Sequence, residues 1–310
     1  MTFKISAILI SIFSMLSSCS ESYDISKESF STPMIIAHRG GKVDFPENTI
    51  LSFEKALEAG VDAIEMDVQV SKDNIPVLYH PNNLNRWTNG TGKVEEYTLA
   101  ELKKLNAAWN YDEENGYPYR KQPQEIPTLR EALHAIPVNR LIMLDMKSLP
   151  AAVLVQSIAA VLEEYNAWER VVFYSTSEEH HEALKIWPKA RMFETREITR
   201  KRLLEYKING VFWEPGKPAS WVGYELRRDF DINEVLTLGL GNPPITITLW
   251  DKMLVKSIKN ESCSPKIVLM GINTGEDYER AAELGGDAVL TDAPFLLINE
   301  RKAFLNKKAE

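Results

Sequence analysis

Acidic side chains at one-residue spacing are the first sign of chemistry in this chain. Glu65 and Asp67 are separated by one residue within an apolar run, and Asp145 is separated by one residue from Lys147 in another. Because side chains alternate along a strand, each of these two pairs must share one face. Three carboxylates that converge on one pocket repel one another unless a cation neutralises them. Ligands that are all oxygen atoms favour a hard divalent ion, Mg²⁺ or Ca²⁺, over zinc.

Two histidines and two cations accompany these acids. His38 follows the apolar run 34–37, and His80 follows the short run 75–79. Because the pKa of imidazole lies near neutral pH, two histidines beside a phosphate can act as general acid and general base. Arg39 offers a planar fork for phosphate oxygens, and Lys147 offers a point charge. Such a set predicts phosphoryl transfer, whose catalysis consists mainly of positioning and charge stabilisation.

Eight apolar runs, separated by helical patterns, must position these residues. The runs are 34–37, 63–70, 141–146, 171–174, 190–193, 211–213, 267–272 and 288–290, and the run 75–79 is expected to pair with the second. Alternating strands and helices predict an α/β fold with parallel strands, here a (β/α)₈ TIM barrel with an insertion after strand 2, at 81–126. The alternative is an open doubly wound sheet, but no G-x-G-x-x-G follows the first run. The long segment 220–264 has no assigned place, although 235–240 could form an extra strand.

The same residues carry a resemblance to a known family. The matching motifs, in chain order, are His38-Arg39-Gly40, Pro46-Glu47-Asn48-Thr49, Glu65-x-Asp67, His80 with Leu84-x-Arg86, Asp145-x-Lys147 and Thr291-Asp292-x-Pro294. Their order and spacing are similar to those of the glycerophosphodiester phosphodiesterase family. The resemblance implies a TIM barrel, a divalent metal and the release of an alcohol and glycerol 3-phosphate from a glycerophosphodiester. It also implies metal ligands (Glu65, Asp67, Asp145), an acid–base pair (His38, His80) and phosphate contacts (Arg39, Lys147).

The chain departs from the family pattern at several positions around this set. The family usually has glutamate where Asp145 stands, and the shorter arm must move the metal or need a bridging water. Pro81 and Trp87 stand where the family has aspartate and threonine, and Met270-Gly271 stands where it has Trp-Thr. These departures predict an intact metal and acid–base core with an altered rim, and therefore a different alcohol group in the substrate.

The amino terminus resembles that of a bacterial lipoprotein. Lys4 precedes a mostly apolar stretch, 5–16, which has the length of a signal-peptide core and is too short to span a bilayer. The stretch ends in Leu16-Ser17-Ser18-Cys19, which resembles a lipobox, where the cysteine is lipidated and becomes the first residue. The expected organisation is a lipoprotein signal peptide (1–18), a tether (19–32) and the barrel domain (33–305). An ordinary secretory signal is the alternative.

This resemblance also predicts location and redox state. A lipid anchor at Cys19 would hold the chain on a membrane of the cell envelope. Ser20 stands where inner-membrane lipoproteins carry aspartate, so the outer membrane is favoured, with the domain periplasmic or surface-facing. Lipidation of Cys19 would leave only Cys263, so no disulfide is expected within the mature chain.

The overall expectation is metal-dependent hydrolysis of a small-molecule glycerophosphodiester. A net charge of −8 argues against a nucleic-acid partner. Two alternatives stay open: a lipid phosphodiesterase similar to phospholipase D or sphingomyelinase D, and a lipoprotein that binds phosphorylated ligands without catalysis. Lys147 could be only an ion-pair partner, and Asn48 and Thr49 could be helix caps or substrate contacts. Asp292 is expected to be structural, and the remaining histidines are expected to be solvated: His134, His180 and His181.

Overall fold

The computed structural model describes residues 32–212, 219–231, 234–236, 239–241 and 244–309. The expected signal peptide, Cys19 and nearly all of the tether lie outside these residues. The strands are β1 (Met34–Ala37), β2 (Ala63–Val70), β3 (Pro76–Leu78), β4 (Leu141–Met146), β5 (Val171–Tyr174), β6 (Arg191–Met192), β7 (Trp221–Glu225), β8 (Arg227–Asp231), β9 (Glu234–Leu236), β10 (Gly239–Gly241), β11 (Pro244–Thr248), β12 (Lys266–Met270) and β13 (Ala288–Thr291). The α-helices are α1 (Ile50–Ala59), α2 (Leu99–Leu102), α3 (Leu129–Ala135), α4 (Ala151–Glu164), α5 (Glu178–Leu184), α6 (Arg196–Asn209), α7 (Lys252–Lys259), α8 (Gly275–Leu284) and α9 (Pro294–Ala309).

A parallel barrel sheet organises the chain. Its strands are hydrogen-bonded in the order β6-β5-β4-β2-β1-β13-β12-β7, and β3 pairs antiparallel with β2. Phe193, directly after β6, forms a parallel bridge with Trp221 of β7 and so connects the two ends of the sheet. The predicted TIM barrel is therefore confirmed, and so is the insertion after its second strand.

Side-chain alternation divides the strand residues into two apolar sets. One set packs against the helices and includes Ile35, Ile64 and Ile142. The other contains only residues from the strands and Phe193, and therefore fills the inside of the barrel. Ala63 and Met143 belong to this inner set. Because alternate residues share a face, the acids further along β2 and β4 continue the inner set toward the carboxyl ends of the strands.

The sixth barrel strand lies later in the chain than the sequence predicts. β7 occupies the place that was expected for 211–213. Val211 and Phe212 are not in a strand and are 49% and 45% exposed, and residue 213 lies outside the described residues. The glycine inside β7 breaks its apolar pattern, which explains the error. A Cβ at Gly223 would overlap the side chains of Met270 and Phe193, so this position inside the barrel leaves room only for glycine.

Two insertions extend from the carboxyl ends of barrel strands. The first runs from β3 to α3 and builds a small core of its own around Tyr79, Leu84 and Leu102. The second contains β8–β11 and lies between β7 and α7; β8 pairs with β11 and β9 pairs with β10, both antiparallel. The extra strand expected at 235–240 is thus a pair of short strands. Both insertions begin at the end of the barrel where TIM-barrel active sites lie.

The structure also bears on the membrane and disulfide expectations. Within the described ranges, no helix combines the length and apolarity needed to cross a bilayer. Cys263 is disulfide-bonded in the structure, which differs from the expectation for a chain whose Cys19 is lipidated. The sequence contains one other cysteine, Cys19, which lies outside the described residues.

Candidate active site

The three predicted metal ligands converge at the barrel mouth. β2 and β4 are parallel neighbours, and their register places Asp67 directly opposite Asp145. One ligand oxygen each from Glu65, Asp67 and Asp145 lies within 4.8 Å of the others, and all three residues are buried. The aspartate that replaces the family's glutamate therefore still brings its carboxylate into the cluster.

The charges of this cluster are only partly compensated. Burial and the neighbouring carboxylates of Asp67 and Asp145 raise the pKa of Glu65 well above its usual value. Burial also raises the pKa of Asp145 to about 7, against the opposing effect of Lys147. Asp145 Oδ1 is buried and accepts no hydrogen bond from the described residues. An all-oxygen donor set with an unsatisfied buried acceptor fits a hard divalent cation.

Lys147 and Arg39 lie on the carboxylate cluster as predicted for cations of this site. Lys147 Nζ is 2.5 Å from Asp145 Oδ2 and 3.1 Å from Asp67 Oδ1. Arg39 Nε is 3.2 Å from Asp67 Oδ2, and its Nη1 is 3.1 Å from Glu47 Oε2. Burial tends to raise the pKa of Asp67, but Lys147 and Arg39 together lower it. Lys147 thus forms ion pairs with two carboxylates, which agrees with the ion-pair alternative. Both Lys147 and Arg39 lie at the edge of the site.

The His38-Arg39-Gly40 segment has a backbone conformation that directs both the backbone N–H and the side chain of Arg39 toward the carboxylate cluster. Arg39 is left-handed, with φ 54°, and its backbone N–H donates to Glu65 Oε2 over 2.7 Å. Gly40 follows with φ 80°, and a Cβ there would overlap the side chain of Ser52. Only glycine satisfies both restraints. Glycine at position 40 is therefore required by geometry, independently of the reaction.

His38 is held by a carboxylate from the opposite end of the chain. His38 Nδ1 is 2.5 Å from Asp292 Oδ1, and its Nε2 is 3.9 Å from Glu65 Oε2. The contact forms because β1 and β13 are neighbours, with Ala37 opposite Thr291. Burial tends to raise the pKa of Asp292, but the hydrogen bond and charge of His38 lower it.

Sequence reasoning missed the contact of Asp292 with His38, since Asp292 was expected to be structural. The signal was present. Ala288 and Leu290 belong to the inner set of the barrel, and Asp292 is the next residue of the same alternation, as His38 is after Ile36. Continuing the alternation past each strand end would have placed both side chains at the mouth.

His80 reaches the site from the strand that pairs with β2. Its backbone is clamped on both sides by Gln69, whose Nε2 donates to Tyr79 O over 2.7 Å and to Pro81 O over 3.0 Å. This clamp holds the segment even though Pro81 replaces the aspartate of the family motif. Burial lowers the pKa of His80 to about 4, against the opposing charge of Asp67. His80 and Arg39 line one cavity of about 680 Å³.

Asn48 and Thr49 turn out to have different roles. Asn48 Nδ2 donates to Asp67 Oδ2 over 2.8 Å, and Asn48 Oδ1 accepts from the backbone of Asp67 over 2.9 Å. Asn48 therefore orients a carboxylate of the cluster. Thr49 caps α1 by accepting from Ser52 N over 3.1 Å, and Gly60 caps the other end of the helix.

The remaining histidines differ in their surroundings. His180 was expected to be solvated but is buried, with Nδ1 2.7 Å from Ser175 Oγ and Nε2 2.8 Å from Ser148 O. It therefore joins α5 to the loop after β4, next to Lys147. His181 is partly buried, and burial lowers its pKa. His134 is exposed, as expected.

The fold and this site together define the class of protein. The model of the glycerophosphoryl diester phosphodiesterase family matches residues 38–296, which is more than half of the chain. The chain therefore belongs to the glycerophosphoryl diester phosphodiesterase family. It is an enzyme of the phosphoric diester hydrolase class, as the sequence predicted.

Individual relatives agree with this assignment. A Mycobacterium tuberculosis protein is 39% identical over 264 residues, which cover 84% of this chain and 87% of that protein. The structure of its glycerophosphoryl diester phosphodiesterase domain matches with a TM-score of 0.79 at 37% identity, over 87% of this chain and 99% of that domain. A glycerophosphodiester phosphodiesterase of Caldanaerobacter subterraneus is 28% identical over 271 residues, covering 86% and 96%. An Oleispira antarctica phosphodiesterase, solved with the product sn-glycerol-3-phosphate, shares the fold with a TM-score of 0.65 at 24% identity, over 87% and 97%.

Proposed function

We propose that this chain hydrolyses a glycerophosphodiester to an alcohol and sn-glycerol 3-phosphate, with a divalent metal and a pair of histidines. The observation that carries the proposal is the convergence of three buried carboxylates beside two basic side chains and an aspartate-held histidine. Membership of the phosphodiesterase family and the named relatives support the substrate class. The product in the Oleispira antarctica structure is the one expected here.

Glu65, Asp67 and Asp145 would hold the metal, Mg²⁺ or Ca²⁺. When bound, such an ion supplies Lewis-acid polarisation of the phosphoryl group and neutralises part of its charge. Arg39 and Lys147 face the same cluster and would contact the phosphate oxygens. Arg39 suits this role because its guanidinium can offer two parallel donors, whereas Lys147 contributes a compact charge.

The two histidines would move the protons. One removes the proton from the nucleophile, either water or a neighbouring hydroxyl of the substrate, while the new P–O bond forms. The other protonates the oxygen of the leaving alcohol as the old P–O bond breaks. Asp292 supports His38 in either role, since a carboxylate at Nδ1 fixes the orientation of the imidazole ring.

A matched pair of histidine variants tests the proposal. Release of glycerol 3-phosphate is measured for glycerophosphodiesters with glycerol, ethanolamine and choline head groups, before and after EDTA, and after adding back Mg²⁺ or Ca²⁺. His38→Ala should lower kcat by about 10²- to 10⁴-fold, the usual contribution of a general acid or base. His134→Ala, which changes an exposed histidine, should have no effect. Turnover that survives EDTA or the loss of His38 would contradict the mechanism. Cleavage of acyl-bearing lipids alone would favour the lipid phosphodiesterase.

We also propose that the chain is held at the cell envelope, on the outer membrane, by a lipid on Cys19 after removal of residues 1–18. The support is the apolar stretch followed by Leu16-Ser17-Ser18-Cys19. The thiol of Cys19 can form a thioether to lipid or a disulfide with Cys263, but not both. Mass spectrometry of the amino-terminal peptide distinguishes these products. Release of the Cys19→Ala chain from the membrane fraction supports the anchor, and an unlipidated Cys19 in the native chain refutes it.

A further inference from the structure

The first insertion builds a cavity beside one expected phosphate contact, Arg39, and one histidine of the expected acid–base pair, His80. This cavity of about 680 Å³ is lined by Arg39 and His80 on one side and by Arg86 and Trp87 on the other. Tyr111 of the insertion donates its hydroxyl to Val43 O over 3.0 Å and so joins the insertion to the loop after β1. A cavity of this size accommodates a group of several heavy atoms.

Arg86, which lines this cavity, carries a positive charge that no ion pair with a described residue neutralises. The guanidinium of Arg86 lies 4.6 Å from the centre of the Trp87 ring. Among the described residues, no carboxylate lies within ion-pair distance of Arg86. The two other cations that line the cavity are engaged: Lys42 Nζ is 3.2 Å from Asp292 Oδ2, and Arg39 contacts Glu47 and Asp67.

Among the described residues that line the cavity, the carboxylate that could attract a cationic head group is already engaged. Glu47, the carboxylate that lines this cavity, is buried in its ion pair with Arg39. Asp112 and Glu113 line an adjoining cavity beyond Arg86, where Asp112 accepts from Asn115 over 2.7 Å and Glu113 from the Tyr117 hydroxyl. Because Arg86 stacks on Trp87, that aromatic face is also occupied. A quaternary ammonium normally requires an open aromatic face or a free carboxylate.

We propose that this cavity receives the leaving head group and selects an uncharged polyol, such as glycerol or inositol, over choline or ethanolamine, with Arg86 as the specificity-determining residue. The proposal rests on the proposed function and names the substrate class of the same site. The fork of Arg86 donates hydrogen bonds to hydroxyl oxygens, while its charge repels an ammonium group. The aromatic ring of Trp87 holds the fork in place.

Substrate preference in charge-altered variants tests this assignment. For the full chain, kcat/KM should be at least about tenfold higher for glycerophosphoglycerol than for glycerophosphocholine, the effect of one like charge at close range. Arg86→Gln should reduce this ratio by about tenfold, mainly through KM, whereas Arg86→Lys should retain it. Arg120→Gln is the matched control, because Arg120 stacks on Trp109 at 4.7 Å in the same insertion without lining the cavity.

A binding measurement separates this proposal from the catalytic one. Calorimetric titration of the His38→Ala chain with the same two compounds should show the same preference without turnover. If the wild type hydrolyses both compounds equally, or if Arg86→Gln leaves the ratio unchanged, the specificity proposal is overturned and the proposed function stands. If nothing is hydrolysed but the His38→Ala chain prefers glycerophosphoglycerol, the proposed function fails and the specificity stands. If neither compound binds, the cavity is not the head-group site.

Discussion

The barrel mouth has two halves that are built on different principles. The half formed by β2 and β4 is buried, and strand register places each of its carboxylates opposite a fixed neighbour. The half formed by the first insertion is partly open, and its cavity is shaped by short turns, one tyrosine hydrogen bond and an arginine stacked on tryptophan. In the function that we propose, the first half carries the chemistry that every substrate shares, and the second half distinguishes one substrate from another.

The largest effect in the buried half is expected for Asp67→Asn. Asp67 is the residue on which Arg39, Lys147 and Asn48 all converge, so its loss disturbs the cluster from three sides. We expect kcat to fall by about 10³-fold or more, because both charge stabilisation and metal retention are lost. The measurement is steady-state kinetics, with circular dichroism to verify folding. Glu58→Gln, an amide substitution at an exposed ion pair with Lys55, should change nothing.

Asp292→Asn should have the next largest effect. The amide keeps the shape of the side chain but removes the charge next to His38 Nδ1. We expect kcat to fall by about 10- to 100-fold, as is usual when an orienting partner is lost, with KM nearly unchanged. A shifted pH profile of kcat should accompany the loss, since a merely structural residue would not move it. Wild-type kinetics in this variant would return Asp292 to the structural role first expected of it.

Asp145→Glu tests how well the buried half tolerates a longer side chain. The substitution restores the residue usual in the family and keeps a carboxylate beside Lys147. We therefore expect activity to stay within about tenfold of wild type, whereas Asp145→Asn should lose about 100-fold. Titration of activity against Mg²⁺ and Ca²⁺ reports whether metal affinity changes. Equal losses in both variants would show that arm length matters as much as charge.

The smallest effect is expected in the open half, for Tyr111→Phe. This change removes the hydrogen bond to Val43 O, which is worth about 1 kcal/mol. We expect KM to rise about threefold to fivefold, in keeping with that energy, while kcat stays constant. Tyr119→Phe is the matched control, because its ring packs edge-on against Tyr111 at 5.7 Å but its hydroxyl makes no hydrogen bond to the described residues. A change in kcat rather than KM would contradict the assignment of separate roles to the two halves of the barrel mouth.

Much of the buried half could be predicted from the sequence. Alternation along strands places Glu65 and Asp67 on one face, and parallel pairing brings Asp145 to the same depth. These are local rules, and they hold wherever a strand is long and apolar. The same rules place Asp292 beside His38, but only if the alternation is followed beyond the last strand.

The open half of the barrel mouth and the sixth barrel strand could not be predicted from local sequence patterns, for physical reasons. β7 contains Gly223, which is required by the side chains of Met270 and Phe193 on either side of β7, and such a requirement is invisible before the barrel closes. His180 lies in a polar helical pattern, yet its burial depends on Ser148, which is distant in the chain. The cavity beside His80 depends on contacts between the insertion and the loop after β1. Each of these features is set by tertiary contacts, which local pattern does not report.

The contact between His38 and Asp292 spans 254 residues and joins the first barrel strand to the last. A folding chain that has already paired β1, β2 and β4 could assemble its carboxylate cluster while still lacking the partner of His38. Only when β13 takes its place beside β1 does the imidazole acquire its anchor. The carboxylate of Asp292 therefore reaches His38 only when the first and the last strand of the barrel are paired.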